Sequence, residues 1–181
     1  MRSVAASVVA VVVLSLAGGL FGMAAAAAVT PSARAVSAGA TDSCAVVLGG
    51  KVVCWGYNSA GSLGDGTTTN ASTPVEVKGI STAIAVSVGG VHTCALLSGG
   101  TIQCWGSNVD GELGNGTTSI VTSTPVTVSS ISTATAVSTD GSSSCALLSG
   151  GTVKCWGIGS YDRLGNGTYR SSSTPVAVRL G

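Results

Sequence analysis

Six cysteines are the residues of this 181-residue sequence with the clearest chemical potential. They form three pairs, and the two members of each pair lie ten positions apart: Cys44 with Cys54, Cys94 with Cys104, and Cys145 with Cys155. A metal site would need thiolates from different pairs to converge, and the sequence has no Cys-x-x-Cys spacing and a single histidine. The spacing therefore favours disulfides, with a metal site as the alternative.

A Gly-Gly turn lies at the centre of each cysteine pair, with its first glycine at 49, 99 or 150. A three-residue hairpin loop centred on that glycine places the two cysteines directly opposite each other on adjacent strands. Directly opposed residues approach within the range that a disulfide requires. Each bridge would close a short loop and contribute about 2–3 kcal/mol in the chain-entropy model. We therefore predict one disulfide within each hairpin.

No set of residues in the sequence predicts catalysis. His92 is the only histidine, and no Gly-x-Ser-x-Gly nucleophile motif accompanies it. Asp42 and Ser143 fill the matching position in the two other cysteine-containing segments, which indicates a structural position. We predict that the protein is not an enzyme and needs no cofactor.

Asp110, Glu112 and Asn115 form a polar cluster that suggests calcium at first sight. Their spacing does not follow the EF-hand rule, and the acidic residues are not repeated in the other segments. Turn capping explains the cluster better, so we predict no metal site.

The cysteine pairs belong to a longer repeat of about 50 residues. Each copy continues into a Trp-Gly pair, a Leu-Gly-Asx-Gly-Thr turn and a Thr-Pro-Val segment. The Trp-Gly pairs are Trp55-Gly56, Trp105-Gly106 and Trp156-Gly157. The copies span about 34–83, 84–134 and 135–181, with one extra residue in the second copy between Thr117 and Thr124, where we expect a polar loop. A period of this length is typical of propeller blades.

Four short strands are predicted in each copy. In the first copy they lie near Val36-Ser37, over 43–48, over 51–55 and over 75–78, so that Pro74 directly precedes the last strand at a position that tolerates proline. We expect the repeated tryptophans to pack in the core or between blades. A ligand platform is the alternative.

The Leu-x-x-Gly-Gly-x-Val-x-x-Trp-Gly core and the Trp-Gly-x-Asn-x-x-Gly-x-Leu-Gly segment resemble the RCC1 (regulator of chromosome condensation) repeat. The resemblance covers nearly all of the chain after residue 28, and it implies an all-β fold of RCC1-like β-propeller blades. The sequence departs from the family pattern where Ser62, Glu112 and Arg163 replace the usual Gln. The third copy also has Gly159 at the Asn position and Asp162 at a Gly position.

Residues 1–28 have the character of a secretory signal peptide. A short positive start precedes an apolar stretch, and a run of alanines follows it. Cleavage would leave residues 29–181 as the repeat domain, secreted or held in the cell envelope. A retained membrane anchor is the alternative. Loss of Arg2 leaves seven basic and seven acidic residues, so there is no excess of positive charge for nucleic acid.

These features predict a secreted, bacterial-type RCC1-like protein that acts as a non-enzymatic binding module for an unidentified protein partner. The alternatives are guanine-nucleotide exchange, as in founding members of the family, and binding of cell-wall carbohydrate. The family builds a seven-bladed ring, which three blades cannot close. We expect a fragment of a longer propeller, an open arc, or self-association through exposed blade edges.

Overall fold

The computed structural model describes residues 32–181, and the predicted signal peptide lies outside them. The described chain forms twelve strands in three four-stranded antiparallel sheets, each with its strands in chain order. Blade 1 contains β1 (Ala33–Ala38), β2 (Asp42–Val47), β3 (Val52–Gly56) and β4 (Ala71–Glu76). Blade 2 contains β5 (Ala83–Val88), β6 (His92–Leu97), β7 (Ile102–Asn108) and β8 (Ser119–Thr127). Blade 3 contains β9 (Ala134–Thr139), β10 (Ser143–Leu148), β11 (Val153–Gly157) and β12 (Ser172–Ala177). The predicted all-β architecture of three four-stranded blades is confirmed.

Residues 32–181 contain one short 3-10 turn, Ser160–Asp162, and no α-helix. Accordingly, no helix in this part of the chain has the length and apolar character needed to cross a bilayer.

The central hairpin of each blade has the predicted register. In blade 1, Cys44 faces Cys54 and Val46 faces Val52, and the Val47 N–H then donates to the Lys51 carbonyl at 2.9 Å, which leaves a three-residue loop over 48–50. The second glycine of the turn has a positive φ in all three blades, 72° at Gly50 and close to 80° at its two counterparts. A side chain at this φ is strained, so glycine at this position allows the short loop that sets the register.

The fourth strand begins earlier than the sequence predicted. Pro74 is the fourth residue of β4, whereas we expected it to precede the strand. β4 is the outer strand of its sheet, and its pairing with β3 is irregular between Cys54 and Gly56. Proline has no N–H to donate to a neighbouring strand. It is tolerated in β4 because an edge strand with a bulge has positions whose N–H would not pair with a neighbour.

The sequence predicted that the extra residue of the second repeat lies in a loop, but the structure places it in a strand. It falls in β8, which has nine residues where β4 and β12 have six. The longer β8 continues its pairing with β7 as far as Asn108 and Ser119. An insertion on an outer edge strand extends the ladder and leaves the inner strands unchanged.

The hydrophobic core lies between blades rather than inside one sheet. We name the face of each blade that carries the cysteine pair the forward face, and the face that carries the tryptophan the back face. One buried cluster joins the forward face of blade 1, with Val46 and Val52, to the back face of blade 2, with Val86 and Trp105. A second cluster joins blades 2 and 3 in the same way. We call these two contacts the seams.

Candidate functional site

Each seam is centred on a buried tryptophan that hydrogen-bonds across it. The Trp105 Nε1–H of blade 2 donates to the carbonyl oxygen of Ser62 in blade 1, at 2.7 Å. The Trp156 Nε1–H of blade 3 donates to the carbonyl oxygen of Glu112 in blade 2, also at 2.7 Å. Both indoles are completely buried. These two tryptophans therefore pack between blades.

A hydroxyl group reinforces each tryptophan bond. Thr93 Oγ1 donates to the Ser62 carbonyl, and Ser144 Oγ donates to the Glu112 carbonyl, both at 3.1 Å. Each carbonyl oxygen thus uses both of its lone pairs across the seam. A buried carbonyl left unpaired is costly, so these bonds specify how the blades stack.

A second hydrogen bond crosses each seam between the first strands of the blades. The Val88 N–H donates to Ser37 Oγ, and the Thr139 N–H donates to Ser87 Oγ, both at 3.0 Å. The serine of the Ala-Val-Ser segment therefore joins each blade to the next. The matching serine of blade 3 is Ser138.

The glycine of the Leu-Gly-Asx turn leaves room for the tryptophan. A Cβ atom at Gly64 would lie 2.7 Å from Trp105 Nε1, and one at Gly114 would lie 2.8 Å from Trp156. Both glycines also have positive φ. The close approach of the indole to the turn explains why the repeat pairs this glycine with tryptophan.

The structure brings the two sulfurs of each predicted cysteine pair to disulfide distance. The S–S separations are 2.11 Å for Cys44–Cys54, 2.12 Å for Cys94–Cys104 and 2.10 Å for Cys145–Cys155. The pairs lie on the forward faces, and those of blades 1 and 2 are completely buried in the seams. Within residues 32–181 no group of three or more Cys, His, Asp or Glu side chains is placed to hold a metal ion.

A buried asparagine organises the long loop between the third and fourth strands of blades 1 and 2. In blade 2, Asn108 Oδ1 accepts from the Leu113 N–H at 3.0 Å, while its Nδ2 donates to the Thr117 carbonyl at 2.9 Å. Asn58 makes the matching bonds in blade 1. The side chain substitutes for backbone partners that a loop of this shape lacks.

We expect Asn108→Ala to lower the free energy of unfolding by about 2–3 kcal/mol, because it leaves the buried Leu113 N–H without a partner and removes the part-buried bond to the Thr117 carbonyl. Urea unfolding followed by circular dichroism measures this loss. Substitution of Asn115 is the control, because its Oδ1 accepts mainly from the N–H and hydroxyl of the exposed Thr117 and only at 3.4 Å from Asn108 Nδ2. It should cost under about 1 kcal/mol.

The loop of blade 3 differs because Gly159 replaces this asparagine. The chain there forms the 3-10 turn, and Tyr161 and Asp162 have positive φ values of 61° and 56°. Non-glycine residues at such angles are strained, and this strain often occurs at functional positions. Tyr161 and Tyr169 are 87% and 75% exposed. Blade 3 thus presents an aromatic surface that the repeat pattern did not predict.

Arg163 fixes part of this loop. Its Nε donates to the Ser160 carbonyl at 3.1 Å, and its guanidinium lies 6.0 Å from the centre of the Tyr161 ring. It also lies 3.7 Å from the Asp140 carboxylate. We name the exposed residues Tyr161, Arg163, Tyr169 and Arg170 the blade 3 loop surface.

His92 lies buried in the second seam. Its Nε2 is 2.8 Å from Ser144 Oγ. Ser144 donates its one hydrogen to the Glu112 carbonyl, so it accepts from the His92 Nε2–H, and Nδ1 is left as a buried acceptor without a partner. Burial lowers the pKa of His92 to about 4, against a smaller opposing effect of the Asp140 charge.

Asp42 occupies the matching position in blade 1. One of its carboxylate oxygens, Oδ2, is buried without a hydrogen-bond partner. Burial raises the pKa of Asp42 to about 6, and hydrogen bonds from Ser62 and Thr41 partly offset this rise. The same repeat position therefore disfavours a charge in both blades.

The two groups give stability opposite dependences on pH. The folded state holds the His92 proton less tightly than the unfolded chain, so the His92 contribution falls as pH drops from about 6.5 to 4. The folded state holds the Asp42 proton more tightly, so its contribution falls as pH rises from about 4 to 6. We expect His92→Ser to gain stability relative to wild type as pH falls from 7 to 4.

Asp42→Ser should lose stability relative to wild type over the same pH range. Serine is the natural residue of blade 3 at this position, Ser143, which makes these substitutions mild. Urea unfolding at pH 7, 5.5 and 4 tests both variants. Parallel pH profiles for the two variants and wild type would contradict this assignment.

The polar cluster of blade 2 caps its own turn, as the sequence indicated. Glu112 Oε2 accepts from the Asp110 N–H at 2.9 Å, and Asn115 Oδ1 accepts from the Thr117 N–H at 3.1 Å. Burial raises the pKa of Glu112. The side chains of Glu112 and Asn115 thus cap the turn, and Asp110 takes part through its backbone N–H.

Comparison with protein families identifies the repeat. A model of the regulator of chromosome condensation (RCC1) repeat matches residues 49–96, and a second model of this repeat matches residues 83–112. The chain carries RCC1 repeats. A search of curated proteins finds no match to it.

Solved structures with the same fold include larger proteins. Human WBSCR16 is 24% identical with a TM-score of 0.71, and the match covers 78% of this chain and 36% of that protein. Yeast RCC1 (Prp20), solved bound to Kap60, is 17% identical with a TM-score of 0.70 over 80% of this chain and 36% of the yeast protein. A second structure of Prp20p from Saccharomyces cerevisiae gives the same identity and TM-score. The RCC1 repeats described here thus span about a third of the length of these proteins.

Sequence reasoning found the RCC1 repeats, the cysteine pairs and the seam tryptophans, but it missed two features. The first is the pair of backbone carbonyls, at Ser62 and Glu112, that accept the indole bonds. Every residue has a backbone carbonyl, so the residue type does not indicate which carbonyl accepts the bond, and only the structure reveals it. The second is the blade 3 loop surface, for which the signal was present. Gly159 and Asp162 break the repeat there, and two tyrosines lie close by in the sequence.

Proposed function

We propose that this RCC1-repeat protein is a secreted, non-enzymatic binding module, and that the blade 3 loop surface contacts a protein partner. The observation that carries the proposal is the exposure of Tyr161 and Tyr169 beside two arginines on the one loop that departs from the repeat. Tyrosine and arginine are enriched in protein interfaces and in their energetic hot spots. A rigid scaffold with one divergent loop is a common arrangement for recognition.

The loop is already ordered for binding. Arg163 is held by the Ser160 carbonyl and the Asp140 carboxylate, and it lies over the Tyr161 ring. Side chains fixed before binding lose less conformational entropy in the complex. This arrangement supports recognition of a protein surface with hydrogen-bond acceptors and negative charge, which would pair with Arg163 and Arg170.

Secretion rests on two features. Residues 1–28 have the pattern of a cleavable signal peptide. The three cysteine pairs at disulfide distance are compatible with an oxidising, extracellular environment. We place the protein outside the cell or in its envelope.

Related structures support protein binding as the general role of the fold. The yeast RCC1 structure contains Kap60, and the second yeast study reports the binding of Prp20p to Gsp1p and histones. These partners belong to the yeast protein, and fold alone does not transfer them. The partner of this chain has to be found through the blade 3 loop surface.

A pull-down tests the proposal. The oxidised protein is used to retain proteins from the secretome and envelope of its host, in parallel with the double variant Tyr161→Ser and Tyr169→Ser. We expect at least one protein to be retained by wild type and lost with the double variant. The control is Tyr57→Ser, which changes an exposed tyrosine of blade 1.

Identical sets of retained proteins for wild type and the double variant would contradict the proposal. Two further assays distinguish the alternatives. Acceleration of nucleotide release from a Ran-type GTPase would instead support exchange activity, and retention on a glycan array would support carbohydrate binding.

A further inference from the structure

The two seams have the same direction. The forward face of blade 1 packs on the back face of blade 2, and the forward face of blade 2 packs on the back face of blade 3. Within residues 32–181 this leaves one forward face, on blade 3, and one back face, on blade 1, without a blade against them. The chain thus carries both halves of a third seam.

The forward face of blade 3 has the features of a seam half. Leu147 is 41% exposed, whereas Val46 and Leu96, at the matching positions of blades 1 and 2, are 1% exposed. Ala136, Ser138, Cys145, Leu147 and Val153 line a shallow apolar depression on this face. The carbonyl of Arg163 corresponds to the two carbonyls that accept indole bonds.

The back face of blade 1 has the complementary features. Trp55 matches the two seam tryptophans but is only half-buried, and Ser43 matches the hydroxyl donors Thr93 and Ser144. Val36 is 71% exposed, whereas Val86, its counterpart in the first seam, is 8% exposed.

We propose that a second copy of this chain docks the back face of its blade 1 on the forward face of blade 3, forming a third seam between molecules. The Trp55 Nε1–H and the Ser43 hydroxyl of one copy then donate to the Arg163 carbonyl of the other. The Ala38 N–H donates to Ser138 Oγ, as Val88 and Thr139 donate within the chain. Val36 covers Leu147 and its apolar surroundings.

A second copy fits because the acceptors of the seam bonds are present on the forward face of blade 3, and the donors are present on the back face of blade 1. The acceptors are a backbone carbonyl and a serine hydroxyl, and the donors are an indole, a hydroxyl and a backbone N–H. The contact is head-to-tail, so it leaves one free face of each kind and either closes a ring or continues. It does not use Tyr161 or Tyr169, so its failure is distinguishable from failure of partner binding.

Sedimentation equilibrium of the protein purified after expression of the full chain tests the proposal, with its N-terminus determined by mass spectrometry. We expect wild type to assemble reversibly between about 1 and 100 μM, the range in which seams of modest affinity form. Val36→Asp places a charge on the back face, and Leu147→Glu places one on the forward face. Each variant alone should be monomeric, because every copy lacks one half of the seam.

A mixture of the two variants is the sharper test. Val36→Asp keeps an intact forward face and Leu147→Glu keeps an intact back face, so the mixture should form a one-to-one dimer and nothing larger. Ile120→Asp, which alters an exposed residue of β8, is the control and should assemble like wild type. Circular dichroism checks that each variant is folded.

Three results would overturn the proposal. The first is a wild-type monomer at 100 μM. The second is unchanged assembly of both single variants. The third is failure of the folded variants to form a dimer when mixed.

Discussion

Trp105→Ala should lower the free energy of unfolding by about 3–5 kcal/mol, the range for removal of a large buried aromatic side chain. Trp105 is completely buried in the first seam and contributes to the cluster that joins blades 1 and 2. Its loss opens a cavity and removes one of the two donors to the Ser62 carbonyl. A change of this size is a large part of the stability of a domain this small.

Trp55→Ala is the matched control, because it makes the same substitution at the same repeat position on an open face. We expect a loss of about 1–2 kcal/mol for a half-buried side chain. Trp105→Phe separates packing from the hydrogen bond and should cost about 1–2 kcal/mol, because Thr93 still pairs with the carbonyl. Urea unfolding by circular dichroism, at a concentration where the protein is monomeric, measures all three. Equal losses for Trp55→Ala and Trp105→Ala would show that the seam does not exist.

Replacement of Cys94 and Cys104 together by alanine should cost about 2–3 kcal/mol in chain entropy, with a further loss from the smaller side chains in the seam. Both cysteines are completely buried on the forward face of blade 2. Each of the three blades has one such bridge across its central hairpin. We therefore expect reduction of all of them to unfold the protein or to leave it only marginally stable.

The pairing has to be established by peptide mapping before the stability is interpreted. Digestion under non-reducing conditions should give three linked peptide pairs, each from within one blade. The double variant should keep the other two pairs unchanged, and reduction of wild type should abolish the urea transition. Links between blades, or free thiols in the oxidised protein, would contradict the predicted pairing.

The repeat made most of the fold predictable. Three copies of a Gly-Gly turn between cysteines fix the register of the hairpin, because a three-residue loop permits only one symmetric pairing. The fourth strand was less predictable. Proline has no N–H, so it marks the start of a strand only where every backbone N–H of that strand pairs with a neighbouring strand. An edge strand with a bulge does not meet this condition, so β4 extends to both sides of the proline.

The contacts between blades could be predicted only in part. Tryptophan repeated once per blade indicates packing, but its partner is the carbonyl of a residue that differs between blades, Ser62 in one and Glu112 in the next. The sequence did not indicate that blades stack through their faces. Within residues 32–181 this stacking leaves the forward face of blade 3 and the back face of blade 1 open.

The blade 3 loop surface shows how a departure from a repeat carries information. In blades 1 and 2 a buried asparagine fixes the loop, and Gly159 removes this restraint in blade 3. The loop then adopts positive φ at Tyr161 and exposes aromatic side chains. The residues that match the repeat explain stability, whereas the residues that depart from it are the better candidates for recognition.

Hydrogen exchange of the three indole N–H groups tests the stacking of the blades most directly. In a ¹⁵N-labelled Val36→Asp variant, which should stay monomeric, the Trp105 and Trp156 indoles should exchange slowly, because both are buried and bonded to carbonyls across the seams. The Trp55 indole should exchange rapidly, because its face is open. Two slow signals and one fast signal are the predicted result, and three signals that exchange at the same rate would contradict the stacking of three blades through tryptophan seams.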